Sequence, residues 1–279
     1  MSISWEAAAH RLDCAARILN VEVPLAFSAP FHVGVDLGTS DIVLMVLDDS
    51  GEPVAVFLEW AEVVRDGVVV DYLGAIDIVR RLVEKAEKRL GITIRSASTS
   101  FPPGTDPRLS TNILETIGLD IEKVQDEPSC VANLLHLNKT AVVDVGGGTT
   151  GTAVVQNGQV VFSGDEPTGG THISLVIAGH FKVSFKEAER RKRLCAEYGI
   201  LTLVQPTFQR ICDIVSRHIK GHDVATMIFT GGTCCLPGLK SVLEKEIGLP
   251  VLIPNHPLLM TPLAIASLSS NLKHLARLS

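Results

Sequence analysis

Hydrophobic positions along the chain form short apolar runs that alternate with amphipathic stretches, a pattern that predicts an α/β protein. Apolar runs over 32–60 are followed by helical spacing over 72–90, and Gly91 marks the end of that predicted helix. The same order returns with apolar runs over 140–163 and an amphipathic stretch over 206–219. Each half of the chain opens on three strands and continues into helices, which predicts two lobes produced by duplication.

The segment before the first strand has an apolar stripe at helical spacing. The stripe consists of Trp5, Ala8, Ala9, Leu12, Ala16 and Leu19. It predicts a helix that either packs on the protein itself or lays its apolar face in a groove of a partner. We divide the chain into an N-terminal helical extension, two lobes and a C-terminal helix that packs back on the first lobe. The predicted bounds are 1–30, 31–138, 139–260 and 261–279.

One short motif occurs twice, with an aspartate at the end of an apolar strand and a turn rich in glycine and hydroxyl residues after it. The first copy is Asp36 with Gly38, Thr39 and Ser40, and the second is Asp144 with Gly146, Gly147, Gly148 and Thr149. Glycine lets backbone amides approach phosphate oxygens closely. An aspartate would repel phosphate, so Asp36 and Asp144 are expected to act through Mg²⁺. Together the two turns predict a clamp that holds a polyphosphate from both sides.

The order of these motifs resembles that of the ATPase superfamily of actin, sugar kinases and heat-shock chaperones. The resemblance rests on the stretches 36–40, 125–132, 144–149, 230–238 and 257–267. It covers about residues 32–270 and is greatest to the bacterial cell-shape actins and the heat-shock chaperone ATPases. The resemblance implies an α/β, duplicated ribonuclease H-like (actin-like ATPase) fold of two lobes, with ATP and Mg²⁺ as its ligands.

The resemblance also implies roles for individual residues. Glu127, which precedes Pro128, falls where the family has a carboxylate that orients the attacking water, so the implied catalytic set is Glu127, Asp36 and Asp144. The further nucleotide-binding residues that it implies are Gly169, Gly170, Glu189, Lys192, Gly231, Gly232 and Thr233. Glu189 and Lys192 would lie near the ribose and purine. The alternative for their segment is a solvated charged face.

The chain also departs from the family pattern. Only about 35 residues separate Lys192 from the strand that begins near Met227, so we expect reduced outer subdomains. The only lysines between residues 42 and 95 are Lys85 and Lys88, both on an expected surface helix, so the family's phosphate-contacting lysine has no clear counterpart. Both a weak ATPase activity and binding without turnover therefore stay open.

Among compact members, the chain resembles the chaperone-like proteins of bacterial ethanolamine-utilisation systems. That resemblance implies a cytoplasmic protein, associated with a bacterial microcompartment, whose partners are ATP or ADP and a protein client of the same system. Its expected function is to couple nucleotide state to the assembly or protection of a microcompartment-associated enzyme. The alternatives are a nucleotide-binding pseudo-ATPase scaffold and a small-metabolite kinase.

Composition and residue spacing argue against several classes of partner and of metal site. A net charge of −6 argues against nucleic acid or an anionic membrane as the main partner. No apolar run reaches the roughly 18–20 residues that a membrane-spanning helix needs. The six cysteines include no CxxC pair, which is typical of reduced thiols in a cytosolic protein. None of the nine histidines has a recognised zinc-site spacing beside these cysteines, so we predict no structural zinc site.

Overall fold

A computed structural model describes residues 2–28, 30–61, 64–65, 68–69, 71–195 and 197–269. The N-terminal helix α1 spans Trp5–Arg17. The strands of the first half are β1 (Phe31–Leu37), β2 (Asp41–Asp48), β3 (Pro53–Trp60), β4 (Val64–Arg65), β5 (Val68–Val69), β6 (Ser96–Phe101) and β7 (Asp120–Asp126). Its helices are α2 (Tyr72–Leu90), α3 (Arg108–Thr116) and α4 (Glu127–Leu134).

The second half repeats this plan. Its strands are β8 (Thr140–Val145), β9 (Thr150–Gln156), β10 (Gln159–Glu166), β11 (Thr226–Thr230) and β12 (Val251–Leu252). Its helices are α5 (Gly170–Phe181), α6 (Phe185–Arg193), α7 (Ile200–Leu203), α8 (Gln205–Ile219), α9 (Leu239–Ile247) and α10 (Met260–Ser267). The predicted C-terminal helix gives way to a turn at residues 268–269, and the part of the prediction beyond residue 269 lies outside the described residues.

The two large sheets have the same topology. The first has the strand order β3-β2-β1-β6-β7 and the second the order β10-β9-β8-β11-β12. In each sheet the three strands of the opening meander pair antiparallel, and the last two strands join parallel to the first strand of that meander. This repetition confirms the two-lobed α/β fold that the duplicated pattern predicted.

Both sheets are covered on both faces, which explains the continuous apolar runs of their strands. In β2, Ile42, Leu44 and Val46 join the core beneath α2 and α3. The alternate residues Val43 and Met45 join a central core that also holds residues of α1, α4, α10 and the second sheet. A third core lies between the second sheet and α5, α8 and α9. The helices α4 and α10 therefore fill the layer between the two lobes.

The contact of α10 with the first lobe depends on one glycine. A Cβ atom added to Gly34 in β1 would lie 2.7 Å from Cα of Ala266 in α10. A larger residue at either position would push the helix off the sheet. The second lobe thus sends its last described helix onto the sheet of the first lobe, and the hairpin motif of β1 and β2 lies beside that helix.

The N-terminal stripe packs within the protein. Ala8, Leu12 and Ala15 are buried in the central core, and Trp5 packs against its edge. This burial favours the first interpretation of the stripe and leaves little of it for a partner's groove. Within the described residues no helix combines the length and apolarity that a membrane crossing requires.

One predicted helix boundary is wrong. Proline is favourable at the first helical position, so the sequence predicts a helix that begins at Pro237, after the Gly231–Gly232 turn, and extends to Ile247. In the structure residues Gly232–Cys235 form a short 3-10 helix, and α9 begins only at Leu239. Gly238 precedes α9 with a φ of +81°, a left-handed conformation that interrupts any continuous helix from Pro237.

Candidate functional site

A cavity of about 350 Å³ lies between the two lobes and is lined by both glycine-rich hairpin turns. The predicted site residues that line it are Asp36, Gly38, Thr39, Ser40, Glu127, Asp144, Gly146, Gly147, Thr149, Gly170, Glu189, Lys192, Gly231, Gly232 and Thr233. Gly148 and Gly169 are the two predicted residues that do not line it. The structure therefore gathers residues from distant parts of the sequence around one cavity.

The turn of the second lobe is held from behind by the start of α5. The amides of Gly170 and Thr171 donate to the carbonyl oxygens of Gly146 (2.9 Å) and Gly147 (2.7 Å). A Cβ atom on Gly169 would lie 2.7 Å from the Gly146 oxygen and 2.8 Å from the Gly147 oxygen, too close for any side chain. The Gly169–Gly170 turn thus braces the Gly146–Gly147 turn, because the Gly170 amide is already engaged there.

The third glycine turn braces the same loop from the other side. The Thr233 hydroxyl donates to the carbonyl oxygen of Gly146 over 2.9 Å. Gly231 has a φ of +89°, and a Cβ atom there would lie 2.5 Å from the carbonyl oxygen of Val145. Only glycine fits this left-handed and crowded position. The loop of the second lobe is therefore fixed by two separate elements.

Amides in both hairpin turns are available to a ligand. Within the described part of the chain, the amides of Gly147 and Gly148 donate no hydrogen bond, and neither do those of Thr39 and Ser40. The two turns approach each other closely, since a Cβ atom on Gly147 would overlap the Ser40 hydroxyl. Of these residues, Thr39, Ser40 and Gly147 line the shared cavity, and their amides without protein acceptors form a suitable cradle for phosphate oxygens.

Three carboxyls line the cavity together, with Asp144 buried and Asp36 and Glu127 half-buried. Burial, together with the nearby charges of Asp144 and Asp41, raises the pKa of Asp36 to about 8. Burial raises the pKa of Asp144 to about 6, against the lowering effect of a hydrogen bond from Thr261. Burial first, and then the charges of Asp36 and Asp144, raise the pKa of Glu127 well above its usual range. Ionised carboxylates in this cluster repel one another, and a divalent cation would relieve that repulsion.

Each of the three carboxyls is positioned by its own element. Asp36 near the end of β1 accepts a hydrogen bond from the Ser100 hydroxyl over 3.2 Å. Asp144 near the end of β8 accepts one from the Thr261 hydroxyl of α10 over 2.5 Å. Glu127 is the first residue of α4, whose N-terminal turn is capped by the side chain of Asp126. The site therefore depends on α4 and α10, the two helices between the lobes.

Two further carboxyls were not predicted, namely Asp41, which lines the cavity, and Asp165, which does not line it but lies near enough to Glu127 to affect its pKa. Burial first, then the charge of Asp144, raises the pKa of Asp41 to about 7, although Arg193 opposes this shift. Burial raises the pKa of Asp165 in β10 to about 7, and this carboxyl also raises the pKa of Glu127. The available signal was their position in the sequence. Asp41 directly follows the first copy of the motif, and Asp165 lies near the end of the hairpin that follows the second copy. This signal was overlooked because exposed turns are commonly acidic.

The helix α6 contributes three charged residues to the cavity lining, of which Glu189 and Lys192 form an ion pair. Nζ of Lys192 lies 2.8 Å from Oε1 of Glu189 and donates to the carbonyl oxygen of Gly170 over 3.1 Å. Desolvation by burial lowers the pKa of Lys192, despite the opposing effect of Glu189. On the outer face of the same helix, Arg190 pairs with Glu187. The alternative interpretation, a solvated charged face, therefore applies to Arg190. In contrast, Glu189 and Lys192 face the cavity.

One contact crosses the mouth of the cavity from lobe to lobe. The guanidinium carbon of Arg193, at the end of α6, lies 4.2 Å from the ring centroid of Trp60, at the end of β3. Both residues line the cavity. This cation–π contact connects the first lobe to the charged helix of the second lobe.

Comparison with known proteins identifies similar chains. The chain is 50% identical over 258 residues to the ethanolamine utilization protein EutJ of Escherichia coli, and the match covers 92% of each chain. The crystal structure of EutJ from Carboxydothermus hydrogenoformans has 42% identity and a TM-score of 0.88, covering 94% of this chain and 98% of that one. Residues 121–273 match the family model of the type IV pilus assembly protein PilM.

A more distant structure shows the same fold. The crystal structure of MreB5 of Spiroplasma citri bound to AMPPNP has a TM-score of 0.70 at 15% identity, over 90% of this chain and 99% of that one. At this identity the similarity concerns the fold alone. It confirms the actin-like architecture that the order of motifs had implied.

Proposed function

This chain belongs to the EutJ family of ethanolamine utilization proteins, and from that premise we propose that it is a nucleotide-dependent actin-like module that acts on a protein client of ethanolamine utilisation. ATP with Mg²⁺ is the proposed ligand. The observation that carries the proposal is the pair of hairpin turns that line one cavity together with the aspartates Asp36 and Asp144. We also propose a cytoplasmic location, associated with a bacterial microcompartment.

The donor set fits a magnesium ion. Asp36, Asp144 and Glu127 supply only oxygen atoms, which Mg²⁺ prefers, and their raised pKa values reflect buried negative charge with little compensation nearby. When bound, Mg²⁺ would supply charge neutralisation for the phosphates. Asp36 and Asp144 would hold it, with the geometry of each carboxylate fixed by Ser100 and Thr261 respectively.

The remaining cavity residues would each contact a different part of the nucleotide. The turns at Gly38–Ser40 and Gly146–Thr149 would hold the phosphates with backbone amides and hydroxyls. Gly231, Gly232 and Thr233 would lie along the adenosine. Glu189 would accept hydrogen bonds from the ribose or purine, and Lys192 keeps Glu189 in place. Glu127 would orient a water toward the terminal phosphate, because positioning and electrostatics dominate phosphoryl transfer.

Nucleotide binding would act on the lobes through differential affinity. A polyphosphate that contacts both turns binds the closed arrangement better than an open one and so favours closure. We propose that the client recognises this closed state, and that its assembly or protection depends on it.

A scaffold that binds nucleotide without hydrolysing it is the second candidate. Lys192 and Arg193 are the basic residues that line the described cavity, and both come from the second lobe. Lys192 is already paired with Glu189. No lysine of the first lobe lines the cavity among the described residues, so charge neutralisation at the terminal phosphate would rest largely on the metal.

Calorimetric titration of the purified chain with ATP and Mg²⁺, followed by a phosphate-release assay on the same sample, tests the proposal. Binding with release of phosphate supports a working ATPase. Binding without release favours the scaffold. If no heat of binding is found at millimolar ATP, the nucleotide proposal is wrong for the isolated chain. Co-purification of a client from ethanolamine-grown cells in ATP but not in ADP would support the coupling.

A further inference from the structure

The exposed face of α1 and the turn between β2 and β3 together hold three side chains of metal-ligating type. His10 and Cys14 are four residues apart, so they project from the same face of the helix. Nε2 of His10 lies 3.7 Å from Sγ of Cys14 and 3.8 Å from Oε2 of Glu52. All three ligand atoms lie within 4.8 Å of one another. We propose that His10, Cys14 and Glu52 bind a divalent cation of the zinc class.

The separation of the His10 and Cys14 ligand atoms fits a tetrahedral zinc site. Zinc bonds to sulfur at about 2.3 Å and to nitrogen or oxygen at about 2.0–2.2 Å, which places a nitrogen and a sulfur ligand about 3.6 Å apart. The His10–Cys14 separation of 3.7 Å is close to that value. The nitrogen–oxygen separation expected at about 3.3 Å needs only a small rotation of the Glu52 side chain.

The turn that carries Glu52 is held in one conformation. Oδ1 of Asp48 accepts hydrogen bonds from the Ser50 amide (2.9 Å), the Ser50 hydroxyl (2.6 Å) and the Glu52 amide (2.9 Å). Gly51 has a φ of +83°, so the turn also depends on a left-handed glycine. A ligand fixed by its own backbone loses little freedom when a metal binds.

A neighbouring arginine selects which oxygen of Glu52 is available. Nε of Arg11 lies 3.3 Å from Oε1 of Glu52, and Nη2 of Arg11 donates to the carbonyl oxygen of Ser50 over 2.7 Å. The opposite oxygen, Oε2, is the one that faces His10. Supporting groups of this kind orient the ligands of metal sites. The positive charge of Arg11 disfavours a cation, and the thiolate and carboxylate together outweigh it.

The ligand types also determine which metal fits. A thiolate with an imidazole favours zinc over magnesium or calcium, which prefer oxygen ligands throughout. Three protein ligands leave a fourth position for water or a partner group. A metal bound here would connect α1 to the β2–β3 turn of the first lobe. This site uses none of the residues of the nucleotide cavity, so the two proposals can be tested separately.

Titration of the full chain with Co²⁺ tests this site, because cobalt replaces zinc and reports thiolate ligation in its absorption. We expect one equivalent to produce a near-ultraviolet thiolate-to-cobalt charge-transfer band that zinc removes by competition. Cys14→Ser should abolish the band, and His10→Ala should weaken the affinity by at least about tenfold. Cys235→Ser is the matched control, since Cys235 is an exposed thiol elsewhere, and it should leave the band unchanged.

Two outcomes would overturn the proposal. One is the absence of a charge-transfer band in the wild-type chain, and the other is a band that persists in Cys14→Ser. Thermal unfolding gives an independent readout. Zinc should raise the unfolding midpoint of the wild-type chain more than that of His10→Ala, since weaker binding stabilises the folded state less, and an equal shift in both chains would contradict the site.

Discussion

The two glycine-rich hairpin turns have the same strand topology and very different surroundings. The turn of the second lobe is braced by the Gly170 amide on one side and the Thr233 hydroxyl on the other. For the turn of the first lobe, the described residues show one loop hydrogen bond of comparable kind, from the Ala61 amide to the Ser40 carbonyl oxygen. A duplicated unit has therefore diverged into a rigid turn and a less constrained one.

The charges of the cavity are also shared unequally. The first lobe contributes only carboxyls, those of Asp36, Asp41 and Glu127, whereas the second contributes both acidic and basic residues, namely Asp144, Glu189, Lys192 and Arg193. We infer that each lobe supplies one aspartate for the metal, that the second lobe supplies the basic groups for the nucleotide, and that the first supplies the carboxyl for the water. The difference teaches that repeated topology preserves the position of a turn, and that the residues packed behind the turn determine how firmly it is held.

The largest expected effect comes from the brace of the second lobe. Gly169→Ala would press a methyl group against the carbonyl oxygens of Gly146 and Gly147 and displace the loop. We expect ATP affinity, measured by calorimetry, to fall by about a hundredfold or more, since several phosphate contacts depend on that loop. Gly179→Ala, in the helix α5 that Gly169 precedes and with open space around it, is the control and should bind normally. Equal affinity in both variants would refute the role of the brace.

Removal of the carboxylate on the first-lobe side should separate binding from turnover. Glu127→Gln keeps the size of the side chain and removes its charge. If the chain hydrolyses ATP, phosphate release should fall by about a hundredfold while the Kd for ATP changes by less than about threefold. Asp126→Asn, which changes the neighbouring cap of α4, serves as a control for damage to that helix. Unchanged release in Glu127→Gln would remove Glu127 from the mechanism.

Asp36 and Asp144 should affect the affinity for ATP only through the bound metal. Asp36→Asn and Asp144→Asn should each weaken binding of ATP by about tenfold in the presence of Mg²⁺, in line with the loss of one favourable charge interaction. Neither should weaken binding in its absence. Calorimetry in Mg²⁺ and in EDTA makes the comparison. A variant that loses affinity equally in both conditions would indicate a direct role in nucleotide binding.

A smaller effect is expected at the mouth of the cavity. Trp60→Ala removes the cation–π contact between the lobes, which at an exposed site contributes about 0.5–1 kcal/mol. We expect the Kd for ATP to rise by about threefold and the nucleotide to dissociate faster, as measured by stopped-flow fluorescence with a labelled nucleotide. Trp60→Phe keeps an aromatic ring and should recover part of the effect. A larger loss in Trp60→Phe than in Trp60→Ala would contradict this account.

The buried carboxyls also predict a dependence of stability on pH. The folded state raises the pKa of Asp36 to about 8 and that of Asp144 to about 6, so it binds protons more tightly than the unfolded chain does. The free energy of unfolding should therefore fall as pH rises from about 4 to about 8. Without Mg²⁺, we expect the unfolding midpoint to drop by a few degrees over this interval. Asp36→Asn should reduce the drop, and a midpoint that rises with pH would contradict it.

Much of the fold followed from patterns that occur locally in the sequence. The apolar runs on either side of Asp36 and Asp144, together with the glycine-rich turns, predicted the opening strands of both sheets. This was possible because the pattern that marks a strand involves only residues close together in the sequence. The bounds of α2 were predicted correctly since Gly91 adopts the left-handed conformation that ends the helix. The start of α9 was misplaced because Pro237 is compatible with a first helical turn, and only the conformation of Gly238 excludes it.

The site was predicted less completely, because its contacts join distant residues. The resemblance supplied Glu189 and Lys192, yet nothing local indicated that Arg193, the next residue, stacks on Trp60. Gly169 was expected at the phosphates, and its position behind the loop depends on packing against Gly146. His10 and Cys14 lacked a familiar metal spacing, since their third partner, Glu52, comes from a turn 38 residues further along the chain than Cys14.

The central claim is that the cavity binds nucleotide together with a magnesium ion held by the buried aspartates. The most direct test is the affinity of the wild-type chain for ATP, measured by calorimetry first with Mg²⁺ and then with EDTA. The account predicts saturable binding at one site, with a Kd that rises at least about tenfold when the metal is removed. An affinity that is the same in both conditions would contradict the claim.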